Sequence, residues 1–193
     1  MRIAALPEPW RDRALIVSDV ADPQSQFESI PEFRTAKRAM EWMLSRIAEK
    51  ELRRRGAAGA FVSYSHSGKY GAAAIDAKPV GIDVEMLRDI RESAAHLFLS
   101  DDEIAVMRRC TIALRMLHFW SAKEAAWKQL GGSVPTLKKL RLTLESESPS
   151  GLRFQNVETF AGEDFIAALT TKGLLPGEKV PRFDCAQREL RGG

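Results

Sequence analysis

Two acidic residues near the middle of the chain could hold a metal ion. Asp83 and Glu85 belong to the segment 80–85, whose composition predicts a short β-strand. Side chains two residues apart in a strand point to the same face, so these two carboxylates stand side by side. Like charges at that distance repel unless a positive group neutralises them, and a hard divalent cation with oxygen ligands does so. An exposed edge strand with two solvated acids is the alternative that this pair alone leaves open.

A second candidate group lies in the segment 119–128. If this segment is helical, Ser121, Glu124 and Lys128 stand at positions i, i+3 and i+7 and share one stripe of the helix. A carboxylate one turn before a lysine is also an ordinary helix-stabilising pair, so the spacing by itself leaves both interpretations open. Trp120 and Trp127 are interpreted as core residues.

The segment 63–68, Ser-Tyr-Ser-His-Ser-Gly, could bind an anion. Serine and histidine side chains donate hydrogen bonds to phosphate oxygens, and the glycine permits a tight turn beside them. A polar turn without a ligand is the alternative. His96 and His118 have no metal-ligand partners at useful spacing, and we interpret both as structural.

The periodicity of apolar residues predicts three helices that must position these groups. Residues 31–55 form a long amphipathic helix with Pro31 in its first turn and Gly56 after its end. A capping box, Ser-x-x-Glu, opens a short helix at residue 100, and a further helix covers 111–130.

Short apolar runs between turn residues predict the strands. The segments 61–64, 71–76 and 80–85 are expected to form a small antiparallel meander with a turn at 66–69. One edge strand is expected near residues 14–17. Further strands are expected at 140–144, 152–154 and 165–170, and the stretch from Gly173 is expected to be a loose tail.

Composition excludes several classes of protein. The 193 residues are 45% hydrophobic and 28% charged, which is a globular balance, and the net charge of +3 does not argue for nucleic acid. No apolar stretch approaches the ~20 residues that a membrane-spanning helix needs, and residues 1–9 lack the apolar core of a secretory signal. Cys110 and Cys185 stand far apart and are interpreted as reduced thiols. We therefore expect a cytoplasmic protein without a membrane or nucleic-acid partner.

Three motifs, in this order, resemble those of the 4′-phosphopantetheinyl transferase superfamily, in its larger, two-lobed, surfactin-synthetase-activating type. They are Ser65-His66-Ser67-Gly68, Pro79-Val80-Gly81-Ile82-Asp83-Val84-Glu85, and Trp120-Ser121-x-Lys123-Glu124-Ala125-x-x-Lys128. The resemblance implies an α/β (α+β) fold of two similar lobes related by a pseudo-twofold axis, one at 1–78 and one at 79–193. The active site would lie between them, and we expect a monomer because one chain then carries both halves of the site.

The resemblance also implies a reaction and its residues. The phosphopantetheine arm of coenzyme A would move to a serine of an apo acyl, polyketide or peptidyl carrier protein, releasing 3′,5′-ADP. Mg²⁺, or alternatively Mn²⁺, would be held by Asp83, Glu85 and Glu124, and Glu124 would also accept the proton of the carrier serine. Lys128 and Lys123 would stabilise the charge of the pyrophosphate. The 3′-phosphate of coenzyme A would be bound by Ser65, His66, Arg34 and Arg38.

One departure from the family pattern keeps an alternative open. Members of the family usually carry a Gly-Lys-Pro segment upstream of the histidine motif, whereas residues 56–60 here read Gly-Ala-Ala-Gly-Ala. The alternative is a non-catalytic module that retains the fold and binds coenzyme A or a carrier protein.

Overall fold

Two antiparallel sheets with helices packed against them form the frame of this α/β protein. The computed structural model describes residues 1–171, so the predicted tail from Gly173 and Cys185 lie outside the described residues. The helices are α1 (Glu8–Arg11), α2 (Ala36–Arg54), α3 (Asp101–Arg109) and α4 (Arg115–Gln129). The strands are β1 (Arg2–Ile3), β2 (Ala14–Ser18), β3 (Phe61–Ser67), β4 (Tyr70–Asp76), β5 (Ile82–Met86), β6 (Leu144–Ser148), β7 (Gly151–Phe154), β8 (Val157–Ala161) and β9 (Phe165–Thr170). Among residues 1–171, no helix is both long and apolar enough to cross a membrane.

The first sheet has the strand order β1-β2-β4-β3, and α2 covers one of its faces. The long helix begins at Ala36 rather than in the predicted turn at Pro31, because the Thr35 side chain caps it by accepting from the amide of Arg38 at 3.2 Å. Its end agrees with the prediction, since Gly56 follows it with φ of 98°. The strand expected at the edge, β2, is fully buried and lies between β1 and β4.

The second sheet has the order β5-β9-β8-β7-β6 and corrects the predicted meander. β3 and β4 form the expected hairpin, but β5 pairs with β9, about 80 residues later, and not with β4. The reason is that both edges of β4 are already paired, with β2 and β3, whereas β9 offers β5 a free edge. In that position Ile82 and Val84 pack in one apolar cluster with Phe165 and Leu169 of β9. β5 thereby becomes the edge strand of the second sheet that faces β3.

The sequence predicted both helices of the second half, α3 and α4, from local signals. The capping box of α3 is present with both of its hydrogen bonds, between Ser100 and Glu103. The last helix begins at Arg115, later than the predicted residue 111, after Leu114 in the left-handed region, and it ends just before Gly131 with φ of 60°.

Two predictions for the strands of the second sheet need correction. The strand expected at 140–144 lies at Leu144–Ser148, because Leu140 is drawn into the apolar core and residues 137–139 form a 3-10 turn. The strand β8, between the two strands predicted at 152–154 and 165–170, was not predicted.

Close contact between α4 and β5 depends on one glycine. A side chain at Gly81 would collide with the backbone carbonyl of Ala125 on α4. Because this position lacks a Cβ, α4 lies directly on the start of β5, and the polar stripe of the helix reaches the acidic residues of the strand.

Candidate active site

Serine hydroxyls of β3 complete the free edge of β5. Alternate amides of β5 donate to them, which satisfies an edge that would otherwise be unpaired. The pairs are Ile82 to Ser63 at 3.1 Å, Val84 to Ser65 at 3.2 Å and Met86 to Ser67 at 3.2 Å. His66 and Ser67 belong to β3. The turn, predicted at 66–69, begins only at Gly68 in the structure. The alternation of serine at 63, 65 and 67 was visible in the sequence and is the signal that could have identified this ladder.

The carboxylate of Asp83 is buried and held from three sides. Ser65 donates to its Oδ1 at 2.9 Å, Lys128 donates to the same oxygen at 2.8 Å, and Ser121 donates to Oδ2 at 2.8 Å. Only 4% of Asp83 is exposed, so a solvated acid on an edge strand does not describe this residue. Groups from β3, β5 and α4 thus meet at one carboxylate.

Glu85, two residues further along β5, is held in the same manner. Ser67 donates to its Oε2 at 2.9 Å, the indole of Trp120 donates to Oε1 at 2.9 Å, and Arg88 donates to Oε1 at 3.2 Å. Trp120 was expected to be a simple core residue. Its ring does pack edge-on against Phe98, but its N–H orients the Glu85 carboxylate.

Glu124 lies on the α4 stripe that faces these two acids. Burial raises the pKa of Glu124 above its usual value, Lys128 opposes this shift, and the negative charges of Asp83 and Glu85 add to it. Lys128 also donates to Ser65 at 2.9 Å and to the carbonyl of Ile82 at 3.1 Å. The structure therefore brings together four predicted site residues, Asp83, Glu85, Glu124 and Lys128, with Ser65 beside them.

Lys123 is the predicted site residue that the structure places elsewhere. Its ammonium lies 2.7 Å from the carboxylate of Glu103, and the two side chains are 0% and 5% exposed. It also donates to the carbonyls of Leu137 and Leu140. Burial lowers the pKa of Lys123, and the hydrogen bond to Glu103 opposes that shift. This position is inside the second half of the chain and away from the Asp83 carboxylate.

His66 and the basic residues of α2 form the other end of the site. His66 Nδ1 lies 3.6 Å from Oε2 of Glu41, which is also flanked by Arg38, while Arg34 is exposed just before the helix. Burial lowers the pKa of His66, Glu41 and Asp83 oppose the shift, and Lys128 and Arg38 add to it. His66 therefore links the α2 side of the site to the Asp83 side.

The donor set suits Mg²⁺ in its chemistry. Carboxylate oxygens are the ligands that this ion prefers. Burial is the main cause of the raised pKa of Glu124, and the negative charges of Asp83 and Glu85 add to it. Within residues 1–171, however, no three His, Cys, Asp or Glu side chains are already gathered as a ligand set. The residues therefore suit Mg²⁺ by their charge and donor type, whereas the oxygens of Asp83 are hydrogen-bonded to Lys128, Ser65 and Ser121.

The chain is similar to known proteins over part of its length. Residues 79–171 match the family model of the 4′-phosphopantetheinyl transferase superfamily. A 4′-phosphopantetheinyl transferase of Bacillus subtilis is 34% identical over 87 residues, which is 44% of this chain and 36% of the relative. The 4′-phosphopantetheinyl transferase psf-1 of Bacillus pumilus is 32% identical over 98 residues, which is 49% of this chain and 42% of the relative. The matched regions span less than half the length of these relatives.

Proposed function

We propose that the chain belongs to the 4′-phosphopantetheinyl transferase superfamily, whose family model matches residues 79–171, and that it transfers the 4′-phosphopantetheine arm of coenzyme A to a serine of an apo carrier protein. The observation that supports this most is the meeting of Asp83, Glu85, Glu124 and Lys128 between β5 and α4. We also propose that the two sheets correspond to two lobes, 1–78 and 79–193, related by a pseudo-twofold axis. The serine contacts between β3 and β5 would then join the lobes at the site.

Glu124 is the residue that we propose as the base. The carrier serine oxygen attacks the phosphorus that bears the pantetheine arm, the bond from that phosphorus to the bridging oxygen breaks, and 3′,5′-ADP leaves with the electron pair. The serine proton passes to Glu124, and burial raises the pKa of this carboxylate above its usual value, which makes it a stronger base than an exposed glutamate. Glu124 is suited to this role because, within residues 1–171, no hydrogen bond or ion pair occupies its carboxylate.

Lys128 and the β5 acids supply the charge balance of the proposed site. Lys128 stands on the same stripe as Glu124 and would stabilise the pyrophosphate of coenzyme A as a point cation. Asp83, Glu85 and Glu124 would hold Mg²⁺ or Mn²⁺, an ion that neutralises the developing charge on the leaving group when bound. Ser67, Trp120 and Ser121 would fix the orientation of the first two carboxylates.

The adenosine end of coenzyme A would lie toward His66, Arg38 and Arg34. The hydroxyl of Ser65, which the resemblance assigns to the 3′-phosphate, donates to Asp83 and accepts from Val84 and Lys128. We therefore propose Ser65 as a residue that positions Asp83. Lys123, paired with Glu103, is left out of the site.

We propose that the protein acts as a monomer in the cytoplasm on an acyl, polyketide or peptidyl carrier. The free thiol of Cys110 suits a reducing compartment. The alternative is a module that binds coenzyme A without turnover. We favour it less, because the three carboxylates of Asp83, Glu85 and Glu124 and the ammonium of Lys128 all lie between β5 and α4.

Intact-mass spectrometry of a panel of apo carrier proteins tests the proposed activity. Each carrier is incubated with the full chain, coenzyme A and Mg²⁺, with an EDTA control. We expect a phosphopantetheine mass gain that EDTA abolishes and that Glu124→Gln slows by about 10²- to 10⁴-fold.

Glu163→Gln is the matched control, because it removes the same charge from an exposed position outside the site. Binding of coenzyme A without a mass gain on any carrier would favour the non-catalytic module. An unchanged rate in Glu124→Gln would refute the role of Glu124 as base.

A further inference from the structure

The ammonium of Lys128 is bound to one of the carboxylates proposed to hold the metal ion. It donates to Oδ1 of Asp83 at 2.8 Å, to the hydroxyl of Ser65 at 2.9 Å and to the carbonyl of Ile82 at 3.1 Å. Each of its three protons therefore has an acceptor on β3 or β5. The side chain of Lys128 is 23% exposed and that of Asp83 is 5% exposed, so the lysine is the member of the pair that solvent reaches.

The carboxylate of Asp83 has little capacity left for a cation. An ionised carboxylate has about four acceptor sites, two on each oxygen. Within the part of the chain that the structure describes, Ser65 and Lys128 donate to Oδ1, and Ser121 donates to Oδ2. The two oxygens of a carboxylate lie close together, so a dication on the remaining site of Oδ2 would lie near the ammonium. Two positive charges at such a distance repel strongly where water is scarce.

Two cationic side chains already offset the charge of the acidic residues between β5 and α4. Lys128 pairs with Asp83 at 2.8 Å, and Arg88 pairs with Glu85 at 3.2 Å. The side chain of Arg88 is 57% exposed, so solvent and salt screen its charge, whereas the more buried charge of Lys128 is screened less. Lys128 therefore opposes the attraction of a free dication to these acids more than Arg88 does.

A donor that carries a pyrophosphate changes this balance. Its anionic oxygens offer the ammonium of Lys128 charge-assisted hydrogen bonds in place of those to Asp83. The ammonium stands on a flexible four-carbon stem, so it can exchange one anionic partner for another without movement of α4. Asp83 is then a buried carboxylate without its cation, and such a carboxylate attracts a dication strongly.

Resting on the proposed function, we propose that Lys128 excludes divalent cations from Asp83 until the pyrophosphate of the donor binds, so that metal and donor bind cooperatively. Lys128 is the counter-ion of Asp83 in the free protein and of the pyrophosphate in the complex. The free protein accordingly binds a divalent cation weakly. Because such coupling is reciprocal, the metal tightens the binding of the donor by the same factor.

Binding of Mn²⁺ to the full chain, with and without coenzyme A, tests this proposal without any need for turnover. Electron paramagnetic resonance measures the free ion, and a titration without protein corrects for Mn²⁺ held by coenzyme A itself. Lys128→Gln removes the charge and retains a group that can donate to Asp83. We expect this variant to bind Mn²⁺ alone about tenfold more tightly than the wild type.

The response to coenzyme A gives a second, independent readout. Coenzyme A should tighten the binding of Mn²⁺ to both chains, because phosphate oxygens are themselves ligands of the ion. In the wild type the release of Asp83 by Lys128 adds to this gain. We therefore expect the gain to be about tenfold larger in the wild type than in Lys128→Gln.

Lys69→Gln is the matched control, because it removes the same charge from an exposed lysine that pairs with Asp164 at 2.7 Å. It should leave both Kd values for Mn²⁺ at their wild-type level. Lys128→Met, which keeps a side chain of similar length without the charge, replaces Lys128→Gln if that variant does not fold. A wild-type chain that binds Mn²⁺ equally well with and without coenzyme A overturns the inference on its own.

The failure of the inference can be told apart from the failure of the proposed function. If carriers are modified, but the wild type and Lys128→Gln bind free Mn²⁺ within about threefold of each other, the function stands and the inference is overturned. If no carrier is modified, the function is refuted, and the same Kd values still decide the inference. Absence of Mn²⁺ binding to both chains, even with coenzyme A, overturns the inference.

Discussion

The buried pair of Lys123 and Glu103 provides a stability test of the site assignment. Replacement of Lys123 by Met keeps a similar volume but leaves the Glu103 carboxylate buried without its cation. It also leaves the carbonyls of Leu137 and Leu140 without the donor they share. Among residues 1–171, Glu103 then keeps only neutral donors, which are the amides of Ser100 and Leu142 and the Ser100 hydroxyl.

The expected cost follows from the burial of both partners. Removing one member of a fully buried ion pair costs about 3–5 kcal/mol, because the remaining charge is uncompensated. The second substitution Glu103→Gln removes that charge and retains an oxygen that can accept from Ser100. We therefore expect Lys123→Met to lower the free energy of unfolding by about 3–5 kcal/mol, and the double variant to recover more than half of that loss.

Urea unfolding followed by tryptophan fluorescence and circular dichroism measures both values. Lys139→Met is the control, because Lys139 is exposed, and we expect it to change stability by less than about 0.5 kcal/mol. A loss below about 1 kcal/mol for Lys123→Met would refute the structural role of the pair. If that variant instead kept full stability and lost turnover, Lys123 would belong to the site after all.

Three further predictions concern pH, metal affinity and packing. Burial lowers the pKa of His118 from 6.5 to about 4, so as the pH falls the unfolded chain binds this proton before the folded chain does. The free energy of unfolding should therefore fall by ~3 kcal/mol between pH 6.5 and pH 4. In urea titrations at several pH values, His118→Gln should remove this dependence of the free energy of unfolding on pH. Ser67→Ala removes a donor to Glu85 and should raise the Mg²⁺ concentration for half-maximal activity about tenfold at unchanged kcat, whereas an unchanged metal requirement would contradict the role of Ser67. Gly81→Ala pushes a methyl group into the carbonyl of Ala125 and should cost about 1–3 kcal/mol in thermal unfolding, and an unaltered Tm would show that α4 can move away freely.

Local signals in the sequence predicted α2, α3 and α4 and some of their ends. The capping box at Ser100 and Glu103 and the glycine after α2 are decided by hydrogen bonds within a few residues, so the sequence window contains the whole cause. The predicted start of α2 near Pro31 was wrong for an equally local reason, since the helix begins after Thr35, whose hydroxyl caps it. The partner of β5 could not be found in this way, because its pairing with β9 depends on contacts between segments about 80 residues apart.

The candidate site was predicted where residue type and spacing act together. Ser121, Glu124 and Lys128 share a stripe at about 100° per residue, and the structure places this stripe against the acids of β5. The same arithmetic argues against Lys123, which stands about 200° from Ser121 on the opposite side of the helix. Its assignment to the pyrophosphate came from the motif, whereas its partner Glu103 lies 20 residues earlier and is visible only in the structure.

The serine ladder joins the first sheet to the second at the candidate site. Each of the hydroxyls of Ser65 and Ser67 accepts from an amide of β5 and donates to the neighbouring carboxylate of the same strand. One hydroxyl therefore closes the edge of the second sheet and orients an acidic side chain, although β3 belongs to the first sheet. A change that separates β3 from β5 would leave amides of β5 unpaired and remove one hydrogen bond each from Asp83 and Glu85. The stability of the contact between the sheets and the geometry of the acidic residues are thus set by the same few atoms.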